Sequence, residues 1–138
     1  PLMPVPYACP NHRGDAGGRR YQGNVWTSYL AATGQGTVFP GAGTVSLTDV
    51  GERRGATIMV AEVADADVHW MEPRDLDVAT MSFKIGGPPR PSVSSLDPGG
   101  PHAVTVDGSV RQLSPATTPR ELKALTTIAG GEEVAPLP

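Results

Sequence analysis

The apolar positions of this chain fall into a few short patterned runs separated by glycine and proline. The longest, "ATIMVAEV" from Ala56 to Val63, is almost continuously apolar and is bounded by "GERRG" and "ADAD". A run this short, with breakers at both ends, predicts a buried strand and not a helix. Glu62 interrupts it. An ionised carboxylate on a buried face is costly without partners, so strand alternation predicts that Glu62 points outward. A second strand is predicted over Trp26 to Thr33, "WTSYLAAT", from its aromatic and β-branched content, followed by a glycine loop over Gly34–Gly43.

The C-terminal third is the most strongly patterned. Ala103 to Val106 and Ser109 to Leu113 flank Asp107-Gly108. That pattern predicts a β-hairpin with a two-residue type I′ loop, in which both central residues take positive φ. Next, Thr118-Pro119-Arg120-Glu121 reads as a capping box with Pro at the first helical position. Leu122, Leu125, Thr126 and Ala129 fall on one face and Gly130-Gly131 stop the run, so a helix is predicted over Pro119–Ala129.

Between these blocks, a short helical turn is predicted at Asp75 to Met81, capped by Asp75 or Asp77, with Leu76 and Thr80 on one face. "GGPPRPSVSSLDPGGP", Gly86 to Pro101, is too rich in breakers for a regular element. Together these elements predict an α+β domain. It has a small, mostly antiparallel sheet, a C-terminal hairpin, a C-terminal helix packed on the sheet, and long Gly/Pro loops along one edge.

Composition adjusts this picture little. A chain of 138 residues that is 38% hydrophobic supports one domain with one modest core. Residues 1–25, rich in Pro, Gly and Arg and without period, read as an extended lead-in, and 26–138 as a single globular domain. The net charge of −3 gives no electrostatic case for nucleic acid. The basic groups Arg13, Arg19, Arg20 and Arg53, Arg54 are small and interleaved with Gly or acids, as on a solvated surface. No apolar run approaches the roughly 18 to 20 residues a membrane helix needs. Cys9 is the sole cysteine, which rules out a disulfide or a Cys-based zinc site within the chain.

Candidate chemistry is sparse. Asp65, Asp67, Glu72, Asp75 and Asp77 form an acidic segment that could offer oxygens to calcium, although without the ladder of an EF-hand loop; surface acids and a helix N-cap are the plainer reading. Trp70 beside Glu72, Asp75 and Asp77 suits stacking of a sugar, against the commoner fate of a core tryptophan. His12, His69 and His102 lack the helical spacing of paired metal ligands. Ser109, His102 and Asp97 have the residue types of a catalytic triad, but Ser109 lies in a predicted hairpin strand and no Gly-x-Ser-x-Gly elbow exists. Phosphate-binding glycine patterns are missing as well.

Four blocks carry a resemblance: "TSYLAATGQGTVFPG" (Thr27 to Gly41), "TIMVAEVADADVHWMEPRDL" (Thr57 to Leu76), "DPGGPHAVTVDGSVRQL" (Asp97 to Leu113) and "LKALTTIAGGEEV" (Leu122 to Val134). In that order they resemble the C-terminal half of a large bacterial family of prepilin-like proteins of unknown function. "PVPYACP" near the start is similar to the family's segment leading to a Cys-Pro pair. Such proteins begin with a cleavable leader and a long apolar helix, followed by a β-rich head whose signature is His, nine residues, Asp-Gly.

Here Asp97 stands at the signature histidine, ahead of Asp107-Gly108, and neither leader nor helix is in the sequence. The resemblance implies a pilin-like or pseudopilin-like structural subunit, non-enzymatic and without a cofactor, exported to the cell surface or an extracellular filament. It further implies self-assembly, with a separate chain carrying the N-terminal helix as one arrangement. The loops Gly34 to Gly43 and Gly86 to Pro101 are then the expected intersubunit contacts. The family's earlier classing with solute-binding proteins keeps a ligand-binding head, for calcium, a glycan or a small solute, as the alternative.

Overall fold

The computed structural model describes residues 3–4, 26–64, 66–88 and 91–129. Five strands form one sheet in the order β3-β1-β2-β4-β5: β1 is Tyr29–Thr33, β2 Ile58–Glu62, β3 Leu76–Asp77, β4 His102–Thr105 and β5 Val110–Gln112. Two short helices complete the α+β fold, α1 at Leu47–Val50 and α2 at Pro119–Thr126, with a 3-10 turn over Gly51–Ala56 leading into β2.

The sheet is mixed where a mostly antiparallel one was expected. β1/β2, β2/β4 and β4/β5 are antiparallel, but β3 joins the free edge of β1 in parallel, Ala32 opposite Leu76 and Thr33 opposite Asp77. The helical turn predicted for Asp75 to Met81 therefore begins as a strand. Leu76 is fully buried and Thr80 exposed, so the two do not share a face. Asp77 does cap a turn: its Oδ1 accepts from Ala79 N, and its carbonyl accepts from Met81 N at 2.8 Å.

Alternation sorts the strands into two faces. Leu30, Ala61 and Ala103 stand in register on the buried face, and α2 covers them with Leu122 and Leu125. Ala31, Val60, Val104 and Val110 stand in register on the other face. A bulge at Met59, between Ile58 and Val60, lets Ile58 reach the core on the same strand that presents Val60 outward.

Helix α2 begins as its sequence dictates, with Thr118 and Glu121 exchanging backbone and side-chain hydrogen bonds and Pro119 at the first position. It ends three residues before the predicted Ala129. Thr127 is extended at φ −115° and ψ 142°, and Ile128 N donates to Gly36 O, tying the chain to the first glycine loop. Ala129 is exposed instead of sharing the buried stripe, and Gly130-Gly131 lie outside the described residues.

The hairpin forms, but with a different turn. Gly108 has φ +83° while Asp107 does not take positive φ. Thr105 O accepts from Gly108 N at 2.9 Å and Thr105 N donates to Ser109 O at 3.0 Å. This is a three-residue loop, Val106-Asp107-Gly108, with the glycine in the left-handed region. Neighbours fix the choice: Val106 N donates to Thr57 O and Asp107 N to Arg54 O, docking the loop on the 3-10 turn.

Among its described residues the segment Gly86 to Pro101 has no helix or strand, as predicted, yet it does not decorate an edge. Val93 and Pro101 are fully buried, and Ser94 bonds both ends of a β2 extension, donating to Glu62 O and accepting from Ala64 N. Its later part, around Leu96 at 45% exposure, offers apolar surface. Helix α1 has no predicted counterpart; Ser46 and Asp49 supply its capping box. Most of the lead-in 1–25, with Cys9, His12 and Arg13 to Arg20, lies outside the described residues.

Candidate functional site

Glu62 is the first surprise. It is 4% exposed and does not point into solvent, contrary to the alternation argument. Its side chain leaves β2 on the open face, opposite Tyr29, but the Pro/Gly segment folds over it. Ser95 Oγ donates to Oε1 at 2.7 Å, His102 N donates to Oε2 at 3.0 Å, and His102 Nδ1 lies 3.4 Å from Oε2. A buried carboxylate persists only with such donors.

This arrangement also fixes what His102 does. Glu62 stands between Ser95 and His102, whereas a triad places the histidine between nucleophile and acid. No hydrogen bond links Ser109, His102 and Asp97. Ser109 N and Thr105 Oγ1 both donate to Asp107 Oδ1, and Asp97 Oδ1 accepts from Gly99 N at 2.7 Å. Asp97 thus turns the chain toward Gly100, whose φ of +104° brings its backbone against the Leu113 carbonyl. Asp97 is thus a turn-forming acid.

Asp107 holds its carboxyl below the ordinary range through the Thr105 hydroxyl first and the Ser109 backbone next. The charge serves the hairpin loop. Gly108 beside it has open space around its Cα and is there for its backbone conformation.

The acidic segment is partly brought together. A cleft of about 430 Å³ is lined by Asp67, Asp75 and Asp77 with Arg74 and Thr80, over an apolar floor that includes Leu30, Val63 and Val68. Asp75 Oδ1 accepts from Ala31 N at 3.1 Å, satisfying the β1 edge just before β3 pairs with it. Glu72 does not line the cleft. It pairs with Arg74 at 2.7 Å, and that side-chain bond holds its carboxyl below the usual range. Asp65 lies outside the described residues. Among the described residues, no group of three or more His, Cys, Asp or Glu is placed to hold a metal ion.

Trp70 is half-buried, its ring 6.4 Å from that of His69, and it does not line the cleft. The exposed indole is Trp26, at 44%, edge-on to His69 at 6.5 Å. Sequence reasoning did not single out Trp26, because its pairing with His69 joins distant parts of the chain. It also missed Ser92, whose buried hydroxyl has no hydrogen-bond partner and which forms part of the cleft. No helix among the described residues is long and apolar enough to cross a membrane. No family model, curated protein or solved structure matches this chain.

Proposed function

We propose that this chain is the head of a structural, non-enzymatic subunit of a pilin-like filament, displayed at the cell surface or outside the cell. One observation carries the reading. Ala31, Val60, Val104 and Val110 run in register across four strands on the sheet face opposite α2, and Val110 is 66% exposed. A solvated face of an antiparallel sheet ordinarily alternates to polar residues. Here a shallow groove of about 280 Å³ is bounded by Tyr29, Val60, Val104 and Val110, with His102 as its polar member. An apolar helix laid along that row, in the same subunit or on a separate chain, would cover it and join head to filament core.

The test supplies the head with an apolar helix, in cis or in trans, and looks for ordered polymers by electron microscopy. Val110→Asp is expected to leave the circular dichroism and Tm of the isolated head unchanged and to abolish polymers. A wild-type protein that stays monomeric in every such preparation refutes the filament; a Val110→Asp protein that polymerises normally refutes the role of this face. A second reading, binding of a small solute, is favoured by the cleft beside β3.

A further inference from the structure

The cleft beside β3 has a composition that narrows what it would hold. Asp75 and Asp77 flank Leu76 in an extended stretch, so their side chains leave on the same side, roughly 7 Å apart at the backbone. Each uses one oxygen, Asp75 toward Ala31 N and Asp77 toward Ala79 N, and the second oxygen of each takes no hydrogen bond among the described residues. Asp67 adds a third carboxylate. Among the described lining residues the one guanidinium, Arg74, is already balanced: its Nε meets Glu72 Oε1 at 2.7 Å and its Nη2 donates to Asp67 O at 2.6 Å. The described lining therefore carries surplus negative charge.

Two other features point to a ligand. The floor is apolar, with Leu30, Val63 and Val68 all buried. Ser92, 1% exposed, also lines the cleft, and its hydroxyl has no partner. A buried hydroxyl without a partner carries a desolvation penalty that a ligand donor would relieve. Carboxylates, a hydroxyl acceptor and an apolar floor together complement a cation with a hydrocarbon body. Among the described residues no aromatic ring lines the cleft as a sugar platform would require. Calcium wants six to eight oxygens, and no three-ligand cluster exists among the described residues.

We propose that this cleft binds a primary ammonium carried on a short aliphatic stem. The ammonium sits between Asp75 and Asp77 and the stem lies over Leu30 and Val68. A volume of about 430 Å³ lies within the usual range for small-molecule sites. The inference rests on the solute-binding reading and is independent of the filament.

The experiment titrates the isotopically labelled chain with n-butylammonium chloride and follows the amides of Val68, Asp75 and Thr80 by NMR. n-Butanol, butyrate, glucose and calcium chloride serve as matched probes at constant ionic strength. Butylammonium alone is expected to give saturable shifts, weakened by added salt. The Asp75→Asn/Asp77→Asn protein keeps the acceptors for Ala31 N and Ala79 N and is expected to bind about tenfold or more weakly, the scale of a lost charge-assisted contact. Ser92→Ala is expected to weaken binding as well. Equal, non-saturating shifts with butylammonium and butanol, or unchanged affinity in the double variant, overturn the inference. Saturation by calcium or glucose instead overturns the ammonium while leaving solute binding standing; no saturation by any probe removes both.

Discussion

Truncating Glu62 to alanine removes the acceptor for Ser95 Oγ, in the folded-over segment, and for His102 N at the start of β4. A buried donor left without a partner costs about 1–3 kcal/mol, so two of them, softened by local water entry, give about 3 kcal/mol. Glu62→Gln behaves differently. Its carbonyl oxygen still accepts from His102 N, and its amide can donate to the Ser95 hydroxyl, which reverses its role at little cost. With those two hydrogen bonds kept, the expected loss is smaller than that of Glu62→Ala. Urea unfolding followed by tryptophan fluorescence measures both, as a shift in midpoint at unchanged slope. The alternation argument, with Glu62 in solvent, predicts less than about 0.5 kcal/mol for either change. A Glu62→Ala protein within that limit refutes the buried clamp, and so does a Gln variant as damaged as the Ala variant. Native-state hydrogen exchange adds an independent reading: the Ser94 amide, bonded to Glu62 O, should lose protection in the Ala variant more than in the Gln variant.

Gly100 and Gly108 both have positive φ, but only at Gly100 would a Cβ run into backbone, the Leu113 carbonyl. Gly108→Ala should cost about 1–2 kcal/mol, the ordinary left-handed penalty, and Gly100→Ala clearly more, by thermal melts of the two variants; equal melts would refute the close approach. Asp107 has its folded pKa depressed below the ordinary 3.8 by Thr105 and Ser109, so its contribution is fully present above that value and is lost as pH falls through the folded pKa. Asp107→Asn should therefore shrink the gap in Tm between neutral and strongly acidic solution; an unchanged gap would refute the role given to its charge.

The elements visible in the sequence are those with local chemistry. The Thr118-to-Glu121 capping box and the Leu122/Leu125 stripe identify α2 because cap and stripe lie within one or two turns. Its early end was hidden, because the bond from Ile128 N to Gly36 O comes from a loop distant in sequence. The Asp-Gly pair marks a hairpin in either turn type. What selects the three-residue loop is the docking of Val106 and Asp107 on Thr57 and Arg54, a tertiary matter. Likewise Glu62 has its partners at Ser95 and His102, so no window around it could reveal that it is buried. β3 has only two residues, too few for a period, and its pairing with β1 was illegible. The acids of the cleft were found as a composition; that Asp75 and Asp77 face one side followed only once Leu76 was seen to be a strand residue.

The seam between β2 and β4 joins strands about 40 residues apart, as distant in sequence as β1 is from β3. Upstream, the 3-10 turn runs straight into β2; downstream, β4, β5 and α2 follow one another with short connections. Closing the intervening stretch of about 40 residues costs on the order of 3 kcal/mol of chain entropy before any seam contact forms. Refolding should wait on such closures. Mutations along Ala61 and Ala103, paired across the seam, should slow refolding, while those in the α2 cap should chiefly hasten unfolding. Two long closures, β4 onto β2 and β3 onto β1, thus set the speed of the whole molecule.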